Sequence, residues 1–153
     1  MILLDANVLI YAYDRGSPYN SRVQPWLDER LNGIAKVGIP WGSFLAFTRI
    51  VTNPRIYTSP APAGEAWLQV QSWAGAAATW IPQPTEHHLE TVSALLEKKS
   101  IQANDIPDIH LVALALEHGL KICSTDTDFA RYREIDWINP LDETNPRETA
   151  YSS

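Results

Sequence analysis

The feature that most constrains this chain is its opening, Met1-Ile-Leu-Leu-Asp-Ala-Asn-Val-Leu-Ile10. Ile2, Leu3 and Leu4 form an apolar run too short for a helix and suited to a fully buried strand. The run stops at Asp5, with Asn7 two residues further on. A carboxylate just past such a strand lies at the carboxyl end of a sheet, where open α/β folds place their ligands. A structural reading competes, because aspartate is favoured as a helix N-cap. For Asp5 alone, capping is the stronger of the two. Three more aspartates in similar settings near the far end of the chain shift the balance.

The pattern after Asp5 alternates between helix and strand. Val8, Leu9, Tyr11 and Ala12 begin a short helix that ends near Asp14–Pro18. Asn20 or Ser21 caps a second helix, with Pro25 in its first turn or so and Trp26, Leu27 and Leu31 on its apolar face; Gly33 stops it. Lys36 to Ile39 reads as a strand, and Trp41 to Thr52 as a helix ending before Asn53-Pro54. Residues 55–64 form a loop, Glu65 to Trp73 resume helix, and Ala78 to Ile81 form a third strand. Thr85 to Lys99 form an amphipathic helix, with Thr85 as cap and Leu89, Val92, Leu95 and Leu96 inward. Pro107 opens a helix that runs to His118 and ends at Gly119. Leu120 to Cys123 form a fourth strand, residues 125–132 a turn and short helix, and Trp137-Ile138 a final edge strand. This predicts one α/β domain over residues 1–141 and a polar tail over 142–153. Such alternation implies βαβ units and a mostly parallel sheet with helices on both faces. Right-handed crossovers then gather Asp5 and the Ser124-Thr-Asp-Thr-Asp128 turn at one sheet edge.

At 153 residues the chain is long enough to bury a core without disulfides, and 45% hydrophobic with 20% charged residues is a soluble composition. No apolar stretch can cross a bilayer, and no secretory leader precedes the first strand. The single cysteine, Cys123, fits a buried thiol in a reducing, cytoplasmic setting. A formal net charge of -6 argues against a broad electrostatic nucleic-acid clamp. It leaves room for a nuclease whose clustered acids bind cations.

Those acids are specific. Asp108 opens the helix Pro107-Asp-Ile-His-Leu-Val-Ala-Leu-Ala115, where the dipole favours a carboxylate for purely structural reasons. Asp105 is a cap candidate for the same helix. Asp126 and Asp128 follow the fourth strand, one of them expected to cap and the other to face the site, with the Thr125 hydroxyl between sheet and acid. Carboxylates crowded at one edge repel unless a cation lies among them, and Mg2+ or Mn2+ suits oxygen ligands. The histidines His87, His88, His110 and His118 show no metal-ligand spacing, so zinc has little support. No P-loop, dinucleotide fingerprint or Ser-His-Asp pattern is present. Carboxylate-bound cations suit phosphodiester hydrolysis.

Four stretches taken together carry a resemblance: Leu3–Ile10, Phe47-Thr-Arg-Ile-Val-Thr-Asn-Pro54, Asp108–Ala115 and Thr125-Asp-Thr-Asp-Phe129. In this order they resemble the PIN-domain ribonucleases, and most closely the VapC toxins of type II toxin–antitoxin pairs. The resemblance runs from residue 2 to about residue 140. It implies a three-layer α/β/α sandwich with a mostly parallel sheet, Mg2+- or Mn2+-dependent endoribonuclease activity, a homodimer and a cognate VapB-type antitoxin. It also implies metal ligation by Asp5, Asp108 and Asp126, with Asp128 orienting water or a ligand.

One departure stands out. The family usually adds a glutamate on the helix before its Arg-x-x-Thr-x-Pro-like stretch, and here Gly42 and Ala46 occupy the face leading to Arg49. Arg49 has two readings, pairing with a site aspartate or touching substrate phosphate, and pairing is the favoured one. Arg131 and Arg133 are candidates for the RNA backbone, while Lys98 and Lys99 read as a solvated helix terminus. A peptide of the antitoxin is expected over the acid groove, beside Tyr11, Trp26 and Trp41. Two other classes compete: a catalytically weak or silent partner-binding module, and a haloacid-dehalogenase-like phosphatase. The phosphatase would need an acid where Asn7 stands.

Overall fold

The computed structural model describes residues 1–98 and 100–143. Lys99 and nearly all of the expected tail lie outside these residues. Five strands form one sheet in the order β3-β2-β1-β4-β5, every neighbouring pair parallel. They are β1 (Ile2–Leu4), β2 (Val37–Gly38), β3 (Thr79–Trp80), β4 (Lys121–Cys123) and β5 (Trp137–Ile138). The helices are α1 (Ala6–Tyr13), α2 (Asn20–Leu31), α3 (Trp41–Val51), α4 (Ala63–Ala74), α5 (His88–Leu96), α6 (Ile106–His118) and α7 (Pro140–Glu143).

The alternation of β1 distributes the core. Ile2 and Leu4 join one apolar cluster with α1, α2, α3 and α4, whereas Leu3 joins another with α5 and α6. Successive strand residues face opposite sides, so helices cover both faces and the result is the expected α/β/α layering. Chain order places β1 in the centre, with β2 and β3 added on one side and β4 and β5 on the other. The direction of winding reverses between β1 and β4, the place where such sheets leave a crevice at the carboxyl ends. The register Leu4 to Cys123 puts Asp5 and Ser124 side by side there.

Several local expectations need correction. Helix α5 starts at His88 rather than Thr85, because Thr85 gives its N–H and hydroxyl to Glu117. Leu89 is 80% exposed and only Leu95 of the expected inward set is fully buried. The packed face of α5 is centred on His88 and Leu95, seven residues apart, so Leu89 rotates outward. Neither Asn20 nor Ser21 caps α2, since Tyr19 holds that position without a side-chain bond. Asn20 instead donates to the Tyr11 and Ala12 carbonyls at the end of α1. Pro25 lies inside α2 beyond its first turn. Trp26 is 8% exposed, and its indole N–H donates to Glu143 at 2.7 Å. Helix α7 therefore seals it away from any groove.

Candidate active site

Asp5 ends β1 and starts α1, and it serves both readings made of it. Its Oδ1 accepts from the Ala6 N–H at 2.8 Å, which satisfies one of the free donors of the helix start. Its Oδ2 accepts from Ser124 Oγ at 2.8 Å and from Asn7 Nδ2 at 3.2 Å. Asn7 reaches across to β4, donating to Ser124 Oγ at 2.9 Å and accepting from the Thr125 N–H at 3.2 Å. Ser124 is fully buried and also accepts from the Asp126 N–H. The hydroxyl between sheet and acid is thus that of Ser124 rather than Thr125, which contributes its backbone. A second buried serine, Ser43 of α3, donates to the Leu4 carbonyl at 2.7 Å and fixes that helix against β1.

Asp5 and Asp108 line one cavity of about 150 Å³, together with Ala6, Gly42, Ser43, Ala46, Pro107, His110 and Leu111. Gly42 and Ala46 thus stand on its wall, where the resemblance leads one to look for a glutamate. Both acids titrate above the usual carboxylate range. For Asp5 burial is the main cause, opposed by the bonds from Ser124 and Ala6, with Asp126 adding repulsion. Asp108 is pushed up to about 7, first by burial and then by the charges of Asp5, Asp126, Asp105 and Asp128. The structure thereby brings the four acids into electrostatic reach of Asp108.

They do not form a finished cation cage. Among the described residues no group of three or more His, Cys, Asp or Glu side chains is arranged to hold a metal ion. Asp126 turns its Oδ1 to the Asp128 N–H at 2.9 Å and caps the 3-10 turn Thr127–Arg131, while Asp128 is exposed. Asp105 does not cap α6 with its side chain. It accepts from the Gln102 N–H and from Arg131 at 3.1 Å, which lowers its pKa, the backbone bond most. The donor chemistry of Asp5 and Asp108 fits a hard divalent cation: oxygen ligands, partial burial and unrelieved mutual repulsion.

The basic residues sit differently from expectation. Arg49 is exposed on α3 and pairs with no described carboxylate, so it does not hold a site aspartate. Arg131 is occupied by Asp105 and by the Ser100 carbonyl. Lys98 pairs with Glu134 and lies over the Tyr132 ring rather than free in solvent. Of the aromatics expected beside the groove, Tyr11 packs edge-on against Tyr19 and Trp41 is 41% exposed, stacked on Trp67.

One linkage escaped the sequence reading, which weighed His88 and His110 only as metal ligands and did not consider Glu117. Glu117, His88 and His110 form a hydrogen-bonded chain that ends at the acid cavity. His110 and Glu117 are seven residues apart on α6, hence on one helix face, which was the available signal.

Residues 2–135 match the family model described as PIN domain. Ribonuclease VapC37 of Mycobacterium tuberculosis is 36% identical over 140 residues, covering 92% of this chain and 97% of the relative. Ribonuclease VapC33 of the same species is 32% identical over 143 residues, covering 94% and 100%. Among solved structures, VapBC2 from Rickettsia felis, bound to a DNA fragment from its promoter, has a similar fold. Its TM-score is 0.64 at 15% identity, over 91% of this chain and 98% of that one. With a sheet that winds outward from β1 to both sides, aspartates at its reversal point and relatives of matching length, the chain belongs to the PIN-domain family and, within it, to the VapC ribonucleases.

Proposed function

We propose that this protein is the toxin of a type II toxin–antitoxin pair, an endoribonuclease that hydrolyses RNA phosphodiester bonds with Mg2+ or Mn2+. The observation that carries the reading is Asp5 facing the same small cavity as Asp108, with its carboxylate locked by Ser124, Asn7 and Ala6. Asp5 and Asp108 are the principal candidates to hold the cation, with Asp126 supporting them by charge. When bound, the cation would supply water ionised near neutral pH and positive charge beside the phosphate.

The remaining work falls to the chain itself. The carboxylate plane of Asp5 is set before substrate arrives, because both oxygens are already hydrogen-bonded. Asp128, exposed and close enough to raise Asp108 by its charge, would orient water or a ligand. Arg49 lies beyond Ala46 on α3 with no acidic partner among the described residues, so its guanidinium is available for a substrate phosphate. Arg131 reaches RNA only by releasing Asp105.

Partners follow from the same reading: an RNA substrate, a VapB-type antitoxin and a second copy of the chain. The exposed Trp41, Leu45, Trp67 and Leu68 on α3 and α4 support a protein-covered face. No described helix is long and apolar enough to cross a membrane. A silent partner-binding module draws on the missing helix glutamate, at the Gly42 and Ala46 face, and on the lack of a three-acid cage among the described residues, but the ribonuclease relatives weigh against it.

The deciding experiment incubates purified protein with total RNA in Mn2+ or Mg2+, then in excess EDTA, beside the Asp108→Asn variant. Cleavage should require the cation and Asp108. Full cleavage in EDTA would sink the reading. Co-expression with the adjacent antitoxin gene should relieve growth arrest.

A further inference from the structure

Two of the six tryptophans of this chain are exposed, and these two stack on each other. Trp26 and Trp73 are buried in the core, while Trp80 and Trp137 are half-buried. Trp41 opens α3 and Trp67 lies on α4, with ring centroids 6.4 Å apart and planes 13° from parallel. Trp41 also rests on Phe44 at 5.7 Å, a ring wholly inside the core, so the pair is anchored from below. No described residue accepts from either indole N–H. The pair therefore presents aromatic surface and two donors to solvent from a fixed position.

The surroundings decide what fits there. Trp41 immediately precedes Gly42, which lines the cavity with Asp5 and Asp108, so it flanks that wall at about 100° round the helix. Trp41, Leu45 and Arg49 recur at four-residue intervals as one exposed stripe of α3. Helix α3 contains no Asp or Glu, although the whole chain carries a net charge of -6. Arg49 has no carboxylate partner among the described residues. Aromatic rings followed by an unpaired guanidinium match the bases and phosphates of a single strand. In an A-form duplex the bases are paired and stacked on one another, so their faces are out of reach. We propose that the Trp41–Trp67 pair is a platform on which one unpaired base of the substrate stacks near the cleaved bond, with Arg49 on the backbone two turns along α3, so that the enzyme takes single-stranded RNA. This rests on the ribonuclease reading and deepens it by naming the class of RNA. Leu45 and Leu68 border the platform, so a protein covering those leucines competes with RNA for the same indoles.

The test uses a single-stranded RNA oligonucleotide cleaved by the wild type in Mn2+, and copies with one abasic ribose at each position in turn. One abasic position near the cleaved bond should lower kcat/KM about tenfold, the scale of a lost base–aromatic stack. Trp41→Leu and Trp67→Leu should each lose about as much on intact RNA, and the same abasic position should then cost them less than about twofold. Trp67→Phe keeps a stacking face and should retain the wild-type pattern. A purely structural role for the indoles would slow cleavage of every oligonucleotide equally and leave the abasic pattern unchanged. In a second measurement, 2-aminopurine replaces each base in turn, and its fluorescence is read as the RNA binds Asp108→Asn. Stacking on an indole should quench one position, and adding Trp67→Leu to that variant should abolish the quench.

An abasic penalty that persists undiminished in both leucine variants overturns the proposal, as does undiminished cleavage of the oligonucleotide annealed to its complement. Loss of antitoxin binding in those variants, with the abasic pattern unchanged, overturns it too and assigns the face to a protein alone. If the wild type cuts RNA and no abasic position matters, the reaction stands and the platform alone is lost. If the wild type cuts no RNA, the ribonuclease reading falls, and the fluorescence decides the platform by itself. One quenched position that depends on Trp67 then upholds base stacking, and none overturns it.

Discussion

Ser124 Oγ donates to Asp5 Oδ2 over 2.8 Å, joining two residues 119 apart in sequence. Each is the first residue past a central strand, and the parallel pairing of β1 with β4 makes them neighbours. The same hydroxyl accepts from Asn7 and from the Asp126 N–H. One buried oxygen therefore aligns three residues of the acid edge. Ser124→Ala should cost about 1–3 kcal/mol, the penalty of leaving buried polar groups unpaired. It should also slow cleavage by freeing the Asp5 carboxylate to rotate. Urea denaturation reads the first effect and RNA turnover the second; an unchanged urea midpoint would mean the hydroxyl is replaceable by water.

Asp108 gives a pH prediction for the cation-free protein. Its folded pKa of about 7 lies above the ordinary 3.8, so the native state binds a proton that the unfolded chain has already released. Between about pH 4 and 7 the native state is the more protonated, and stability falls as pH rises. Above about 7 the penalty is fully present. Asp108→Asn should therefore stabilise the protein in EDTA at pH 8 by about 1–2 kcal/mol, discounted because the group is half exposed, and by little at pH 4. Equal effects at both pH values would contradict the repulsion argument.

The phase of α5 can be tested without reference to activity. Leu95 is 4% exposed and Leu89 80% exposed, although both belong to the apolar pattern of that helix. Leu95→Ala should cost about 2–4 kcal/mol by removing packed core volume. Leu89→Ala should stay within about 0.5 kcal/mol, as surface substitutions do. Similar losses for both would mean that another element covers Leu89 in solution.

These cases show where the chain could be read directly. The central strands were legible because Ile2–Leu4 is a short apolar run and Leu120–Cys123 one broken only by the exposed Lys121, each ending in a polar turn, and burial on both faces demands such composition. Asp5, Asp108, Asp126 and Asp128 were legible because each follows a strand or opens a helical turn. The direction of α5 was not, since a periodic reading sends leucines inward, and here the packed face carries His88. That polar residue tolerates enclosure only because Glu117, 29 residues later, accepts its hydrogen. Ser124 was hidden for a related reason. A serine in a polar turn carries no signal until the register of two strands distant in sequence is known.

The wall of the acid cavity offers the last and most direct test. Gly42 lies on α3, and a Cβ built there would meet no atom within 4 Å, while the residue itself lines the cavity with Asp5 and Asp108. Gly42→Ala should therefore stabilise the protein by about 0.5–1 kcal/mol, the helix-propensity gain of alanine over glycine. Gly42→Glu keeps part of that gain but adds a further carboxylate to a cavity already crowded enough to raise Asp108. In EDTA at pH 8 it should be less stable than Gly42→Ala, since a like charge opposes ionised neighbours. Added Mn2+ should reverse the order, because a ligand that binds only the folded state stabilises it in proportion to its affinity. Thermal melts of the two variants, with and without Mn2+, provide the comparison. If Mn2+ shifts Gly42→Glu no further than Gly42→Ala, the cavity is not where the cation binds, and the assignment of Asp5 and Asp108 as its holders fails with it.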